Sequence, residues 1–457
     1  MNQSLRSGRF LTGSTMGHVA RMTLTGSAGV TFMFLVDAAN LFWVSLLGVE
    51  RLVAALGFAW TVQFFSISFG IGLMIATTVV VSRLIGQGNY ADARRQATVC
   101  AITACALQVL VAAGILFWRH DILALAGAEG QTAAKAARYL MISVPSLPFM
   151  ALGMVGSAVL RAEGDAWRAM MVTLSSGLVS MLIDPLLIFG LGLGLDGAAV
   201  AVVIARTLSA CLSIWFVLRV HDLAGRVGMA DFRRLLRPFA RVSFPVVLTQ
   251  LSTPFGNYIL TSVIAGFGDS AVAGWAVVAR LTVLAFGGLF ALSGAIGGIF
   301  GQNFGAGHFD RVRRTYRDAM LFCVVYTSVA WAALFFSSQF VVTLFGLSGE
   351  ASDVILAFSR IAASGWIFIG SLFVANAAFN ALGRAGWSTM FNWFRDGVIL
   401  WPFAVVMSGW YAAPGVIYGH ALSGLVAGGI AAMAGWNFVM RLEQRHAQHS
   451  APAPSGT

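Results

Sequence analysis

Apolar residues run through this chain of 457 residues in long blocks separated by short polar stretches, and the blocks exceed the length of strands or ordinary core helices. One bilayer crossing takes about 20 apolar residues in helical form, which divides the chain into roughly twelve spans. They fall at 22–47, 53–81, 97–118, 139–160, 169–190, 197–218, 243–266, 272–300, 318–343, 356–382, 388–408 and 415–440. The first block reads as a retained helix, because it lacks the short apolar region and small-residue cleavage site of a leader peptide. The expected fold class is an all-α membrane protein.

A repeat organises these spans. Ser82–Arg95 (SRLIGQGNYADARR) recurs as GQNFGAGHFDRVRR at Gly301–Arg314, so that Gly86, Gly88, Arg94 and Arg95 match Gly305, Gly307, Arg313 and Arg314. The offset is about 219 residues, and each copy closes the second long helix of its half. Upstream, Leu47-Gly48 matches Phe267-Gly268 with the offset larger by one, which sets Asn257 opposite Asp37. The domains are therefore an amino lobe over 1–218, a cytoplasmic linker over 219–242, a carboxy lobe over 243–446 and a Pro-rich tail over 447–457 with the composition of a disordered segment. Six helices plus six in a parallel repeat is an arrangement used by secondary transporters.

Composition and charge sharpen that picture. Hydrophobic residues make up 58% of the chain and charged ones 10%, against about 25% charged in soluble domains. The net charge of +11 would suit a nucleic-acid binder, but its placement argues otherwise. Most Lys and Arg lie at the termini and in alternate loops: Arg6, Arg9 and Arg21; Arg94 and Arg95; Arg161 and Arg168; Arg219 through Arg241; Arg311 through Arg317; Arg441 and Arg445. That pattern puts both termini in the cytoplasm and speaks for a bilayer partner, not a nucleic acid.

Against this apolar background the intramembrane charges stand out. A carboxylate at the bilayer centre costs roughly 2.5–3.5 kcal/mol on insertion scales, so Asp37 and Asp184 read first as a functional site. Asn40 follows Asp37 at i+3 on the same helix face. Asp184 precedes Pro185, whose ring removes a backbone donor and marks a point of helix bending, and Ser180 lies one turn before Asp184. Two readings stay open at each acid: a cation site, or a structural role as an ion pair of Asp37 with Arg206 or Arg280 and as a cap on the backbone freed by Pro185. Arg395 and Asp396 are neighbours on a helix, point apart in regular geometry, and are expected to serve different partners. The cysteines at 100, 105, 211 and 323 lie inside spans and read as small buried hydrophobes. The scattered His residues lack metal-ligand spacing, so neither a metal nor a cofactor is expected. Trp43, Trp118, Trp410 and Tyr411 are candidates for an interfacial belt.

Several motifs taken in order resemble a known family. Ile183–Gly190 (IDPLLIFG) with Gly197-Ala198-Ala199, Leu160–Asp165 (LRAEGD), the two Gly-x-Gly loops and Asn380–Arg384 (NALGR) resemble the multidrug and toxic compound extrusion (MATE) transporters. The resemblance covers essentially the whole chain, and it is similar above all to the proton-coupled, DNA-damage-inducible bacterial branch. It implies twelve transmembrane helices in two pseudo-symmetric six-helix bundles. It also implies that Asp37 and Asp184 form the cation-coupling site. Where the sodium-linked branch adds acids on helices seven and ten, this chain carries Gln250, Thr253 and Asn257, and Asn376 and Asn380, which favours protons over sodium. Met154, Ser180 and Val202 stand at family polar positions, and Arg206 stands where relatives carry an uncharged polar residue.

The expected function is a cation-coupled antiporter, driven by protons, that exports organic, drug-like amphipathic compounds across the inner membrane and acts as a monomer. Asn40, Ser180, Arg206, Asn257, Arg280 and Asn376 are the candidates for a polar substrate cavity. With arginines near that cavity, bulky amphipathic and monocationic compounds are expected to be accepted and small dications disfavoured. Two alternatives remain. One is a lipid-linked oligosaccharide flippase of the same superfamily. The other is an intramembrane enzyme, which would need a catalytic dyad within the spans, whereas the sole lysine, Lys135, falls in an external loop. The chain has no Walker A motif and so is not expected to hydrolyse ATP.

Overall fold

Hydropathy of this kind leaves the backbone one economical solution, since only helices satisfy their own polar groups inside a bilayer. The structure, a computed structural model, describes residues 8–450, with side chains for all of these except Glu50 and 445–450. Arg6, Arg445 and the tail from 451 onward lie outside that description. The helices are α1 (Thr15–Ser45), α2 (Glu50–Gly86), α3 (Tyr90–Leu125), α4 (Gly130–Ser143), α5 (Leu147–Glu163), α6 (Ala166–Pro185), α7 (Leu195–Trp215), α8 (Met229–Ala265), α9 (Asp269–Gly305), α10 (Phe309–Leu344), α11 (Glu350–Arg360), α12 (Trp366–Ala381), α13 (Ala385–Trp393), α14 (Leu400–Tyr411) and α15 (Ala413–Ser450).

The twelve spans expected from hydropathy each fall on one helix or on a run of consecutive helices. The fourth combines α4, a 3-10 turn at Val144–Ser146 and α5, and the tenth combines α11, a 3-10 turn at Ala362–Gly365 and α12. The eleventh joins α13 to α14 through a π turn at Phe394–Ile399, and α6 and α7 run into π turns at Leu186–Gly190 and Phe216–Val220. Among the described residues, 10 helical segments are long and apolar enough to cross a membrane. The helices outrun the apolar blocks because their polar ends carry on the same hydrogen-bond ladder. In the segment 219–242, residues 221–228 are irregular and α8 begins at Met229.

The repeat reaches further into the backbone than its loop motif. Positive φ recurs at Gly48 and Gly268, Gly88 and Gly307, Gly127 and Gly346, Gly130 and Gly349, and Gly164 and Gly383, at the same offset of about 219 or 220 residues. Gly164 shows why the residue is needed: at φ 92° it caps α5 in the left-handed region, where a side chain meets the carbonyl. The next residue, Asp165, then starts α6 by accepting the Arg168 N–H at 3.1 Å, a side-chain N-cap. His221 Nε2 donates to the same carboxylate at 2.9 Å, and the Arg168 guanidinium also donates to it. Burial alone would raise the Asp165 carboxyl, but the bonds from His221 and Arg168 and the Arg168 charge outweigh it and hold the group well below the usual carboxylate range.

The chain forms two compact units. The amino unit comprises Ala28–Val81 and Asn89–Leu251. Its core gathers Leu56, Tyr139, Leu140, Leu147, Ile188 and Leu195, and Trp43, expected in an interfacial belt, packs partly buried against it. Cys211 is exposed on α7 instead of buried, while Cys100 is buried on α3. Among the described residues the carboxy unit comprises 8–27, Ser82–Gly88 and 252–450. In it the end of α2 crosses the end of α9 at backbone distance. A Cβ on Gly86 would sit 2.1 Å from the Gln302 carbonyl oxygen, and one on Gly305 would sit 2.2 Å from that of Arg83. Arg83 in turn donates to the terminal carbonyls of α12, to Ala381 O at 2.9 Å and Asn380 O at 3.1 Å. The segment before α1 is pinned nearby: Phe10 N donates to Gln302 Oε1 at 2.9 Å, and Arg311 donates to Phe10 O at 2.8 Å and Gly13 O at 3.0 Å.

Two outcomes follow from these contacts. Gly86→Ala and Gly305→Ala each force backbone apart and are expected to destabilise the protein by about 2 kcal/mol. Gly297→Ala meets nothing within 4 Å and should be neutral or slightly stabilising, as read by thermal unfolding in detergent. Asp165→Asn removes a charged cap and is expected to cost about 1 kcal/mol at neutral pH. Because the folded carboxyl titrates below its ordinary 3.8, its contribution is complete above that value and is lost as pH falls through the depressed one. The difference between Asp165→Asn and wild type should therefore shrink in melts taken below about pH 4.

Candidate cation and substrate site

Asp184 is fully buried near the end of α6, just before Pro185 and the π turn at Leu186–Gly190. Its Oδ2 accepts a hydrogen bond from Asn40 Nδ2 of α1 at 3.1 Å. Its Oδ1 has no partner among the described residues. Such an oxygen in a water-poor setting is costly unless something binds it, so the geometry holds a coordination position open for a proton, a water or a small cation. Ser180, one turn earlier on α6, is buried as well.

Asp37 lies one turn before Asn40 on α1, on the same face. Its side chain is accessible, and among the described residues no ion pair joins it to Arg206 or Arg280. Arg206 is near enough to act on it through space, but the guanidinium is committed elsewhere. It donates to Ser143 O at 3.1 Å, to Ser146 Oγ at 3.0 Å and to Gln63 Oε1 at 2.5 Å. Ser143 and Ser146 flank the 3-10 break between α4 and α5, where Pro145 removes a donor. Arg206 therefore acts as a splint for a broken helix. Gln63 Nε2 donates to Ser143 Oγ at 3.1 Å, and Tyr139 lies within the field of Arg206, Asp184 and Asp37 and hydrogen-bonds Gln63.

The remaining candidates sit in the carboxy unit. Asn257 is exposed on α8, and Arg280 is exposed on α9 with Nη1 donating to its own helix at Ala276 O, 3.2 Å away. Asn376 is buried on α12, and its Oδ1 has no partner among the described residues. The structure thus brings Asp37, Asn40, Ser180, Asp184 and Arg206 into one unit, and Asn257, Arg280 and Asn376 into the other. The expectation that Arg395 and Asp396 serve different partners does not hold. Arg395 Nε and Nη2 bond Asp396 Oδ1 and Oδ2 at 2.7 and 2.9 Å, and Ser252 Oγ of α8 bonds the same carboxylate at 2.9 Å. Both charges are buried, and the π turn that begins at Phe394 departs from the regular helix on which neighbours point apart.

Gln63, Tyr139, Ser143 and Ser146 were missed from the sequence. The available signals were modest: a lone Gln in an apolar block, and two prolines, Pro145 and Pro148, inside the fourth block.

The sequence profile of the MatE family matches residues 26–186 and 245–406. The chain belongs to the MATE family of transporters. It is 26% identical over 417 residues to the FAD transporter of Shewanella oneidensis, covering 89% of this chain and 91% of that protein. It is 22% identical to the multidrug export protein MepA of Staphylococcus saprophyticus, covering 89% of each. The fold matches a crystal structure of a variant of the Vibrio cholerae MATE transporter VcmN with a TM-score of 0.89 at 23% identity, covering 95% of this chain and 99% of that one. The protein is thus an all-α transporter with twelve transmembrane helices in two bundles, and not an enzyme.

The splint role of Arg206 has a direct test. Arg206→Ala removes the three hydrogen bonds to Ser143 O, Ser146 Oγ and Gln63 Oε1 and is expected to cost about 2–3 kcal/mol. Arg206→Lys, which keeps a donor but loses the fork, should fall between it and wild type in thermal unfolding.

Proposed function

We propose that this protein is a proton-coupled antiporter that exports bulky amphipathic organic compounds across the cytoplasmic membrane, with both termini on the cytoplasmic side. The observation that carries the reading is Asp184: a fully buried carboxylate whose Oδ1 has no partner among the described residues, tied through Asn40 to the helix that bears Asp37. A transport cycle needs a group that takes up and releases a small cation while a helix changes its contacts, and the Asn40–Asp184 bond is a contact that one proton can make or break. In this reading, protonation of Asp37 and Asp184 bends α1 and expels substrate, and deprotonation restores binding. Coupling of this kind is reciprocal, so substrate binding must in turn disfavour the proton. Each proton that enters across 100 mV supplies about 2.3 kcal/mol from voltage alone.

Protons are favoured over sodium because a sodium site needs several converging oxygen ligands with compensating negative charge. On α8 and α12 the candidates in the carboxy unit are the neutral Asn257 and Asn376, and Asp396 is already neutralised by Arg395. For the substrate, relatives named for FAD and for multidrug export both support large, flat, amphipathic molecules. The FAD relative adds a second reading, an anionic dinucleotide cargo, for which Arg280 on α9 is an exposed cation in the carboxy unit without an acidic partner among the described residues.

Everted vesicles test both parts. Asp37→Asn and Asp184→Asn are each expected to insert normally yet lose gradient-driven uptake of a fluorescent substrate by at least about tenfold, the scale of losing one coupled charge. Uptake should follow an imposed pH gradient and ignore a sodium gradient. Wild-type uptake in both variants, or uptake that collapses when sodium is withdrawn at a constant pH gradient, would overturn the reading. Competition by FAD above that of monocationic drugs would select the anionic cargo.

A further inference from the structure

The first four turns of α8 carry a row of charge outside the site described above. Arg233, Arg237 and Arg241 follow one another at four-residue spacing, so they share one face of the helix. All three are exposed, and among the described residues none makes an ion pair or hydrogen bond. The nearby acids are already engaged: Asp92 with Arg234 at 2.7 Å, Asp222 with Arg94 at 2.7 Å, and Asp231 with Arg234 at 3.3 Å and Arg95 at 3.8 Å. Past Arg241 the same face turns apolar within one helical turn, at Phe244, which is 70% exposed, and on to Leu248.

We infer that this face of α8 is a binding surface for anionic phospholipid, with Arg233, Arg237 and Arg241 at the level of the headgroup phosphates and Phe244 among the upper acyl chains. Two complementarities select a lipid. Guanidinium forks bind phosphate oxygens in pairs, and cations beside a bilayer gain from an anionic surface. A free phosphate would satisfy the arginines and leave Phe244 with no partner. The order along the helix, charge then apolar, is also the order of a phospholipid from headgroup to tail. The surface lies on the helix that opens the carboxy half of the sequence repeat, so lipid held there bears on the segment joining the halves.

The test uses the full-length purified transporter and native mass spectrometry of lipid retained from mixed phosphatidylglycerol and phosphatidylcholine. Wild type is expected to keep phosphatidylglycerol selectively, and the retention should fall with ionic strength. The triple variant Arg233→Gln, Arg237→Gln, Arg241→Gln should lose that selectivity by about two orders of magnitude, the scale for three surface cations. The triple Lys variant should keep most of it, and Phe244→Ala should weaken retention while leaving the salt dependence unchanged. If the Gln variant proves unstable, the wild-type salt series and the Lys and Phe244→Ala variants decide. Equal retention of the two lipids by wild type, selectivity unchanged in the Gln variant, or displacement of phosphatidylglycerol by inorganic phosphate alone would overturn the inference.

Discussion

Inside a bilayer every backbone polar group must find its partner within the protein. At two breaks in the helices of this chain, a side chain from elsewhere in the same unit closes the gap. At the break between α4 and α5 the Ser143 carbonyl takes a hydrogen bond from Arg206. At the equivalent break between α11 and α12 the Arg360 carbonyl takes one from Trp331 Nε1 at 3.1 Å. One half of the repeat spends a charge on the task and the other an indole. At the π turn of Phe394–Ile399 the departure instead lets two adjacent charges satisfy each other, with Ser252 as third member. Asp184 contrasts with these sites: beside its own π turn, its Oδ1 has no partner among the described residues.

The architecture was legible from hydropathy because the bilayer imposes one rule on all lipid-facing helices. The two acids were legible for the converse reason, since a charge in an apolar block violates that rule. Arg206 was legible as unusual but not in its role, because its partners depend on where α4 breaks. Pro145 hinted at the break without saying which carbonyl would be freed. The Arg395–Asp396 pair was misread because reasoning from a regular helix cannot anticipate a π turn. Asn257, Arg280 and Asn376 could be placed on helices but not on faces, and hydropathy says little about which side of an apolar helix is turned inward.

The halves have diverged in a legible way. On the amino side, Gly177 of α6 packs against Val36 of α1, where a Cβ would come within 2.9 Å of the valine side chain. On the carboxy side, Gly256 of α8 packs against Asp396, 3.1 Å from its carboxyl carbon. The small and the large partner have changed places while the contact survived. The consequence is chemical: the carboxy unit has a carboxylate at a position that is glycine in the other unit, and Arg395 neutralises it while Ser252 donates a hydrogen bond to it. The amino unit keeps Asp184 two turns from Gly177 and Asp37 next to Val36, and among the described residues neither acid makes an ion pair.

The crossing of α2 over α9 carries its own consequence. Gly86 meets Gln302 and Gly305 meets Arg83, so exchanging the two sequence copies returns the same contact. Interfaces with that property are isologous, the kind that two identical chains make about a twofold axis. A single half of this sequence, before any fusion, would already have possessed the surface needed to pair with another copy of itself. The covalent link through 221–228 then adds proximity to an association that the glycines had made possible.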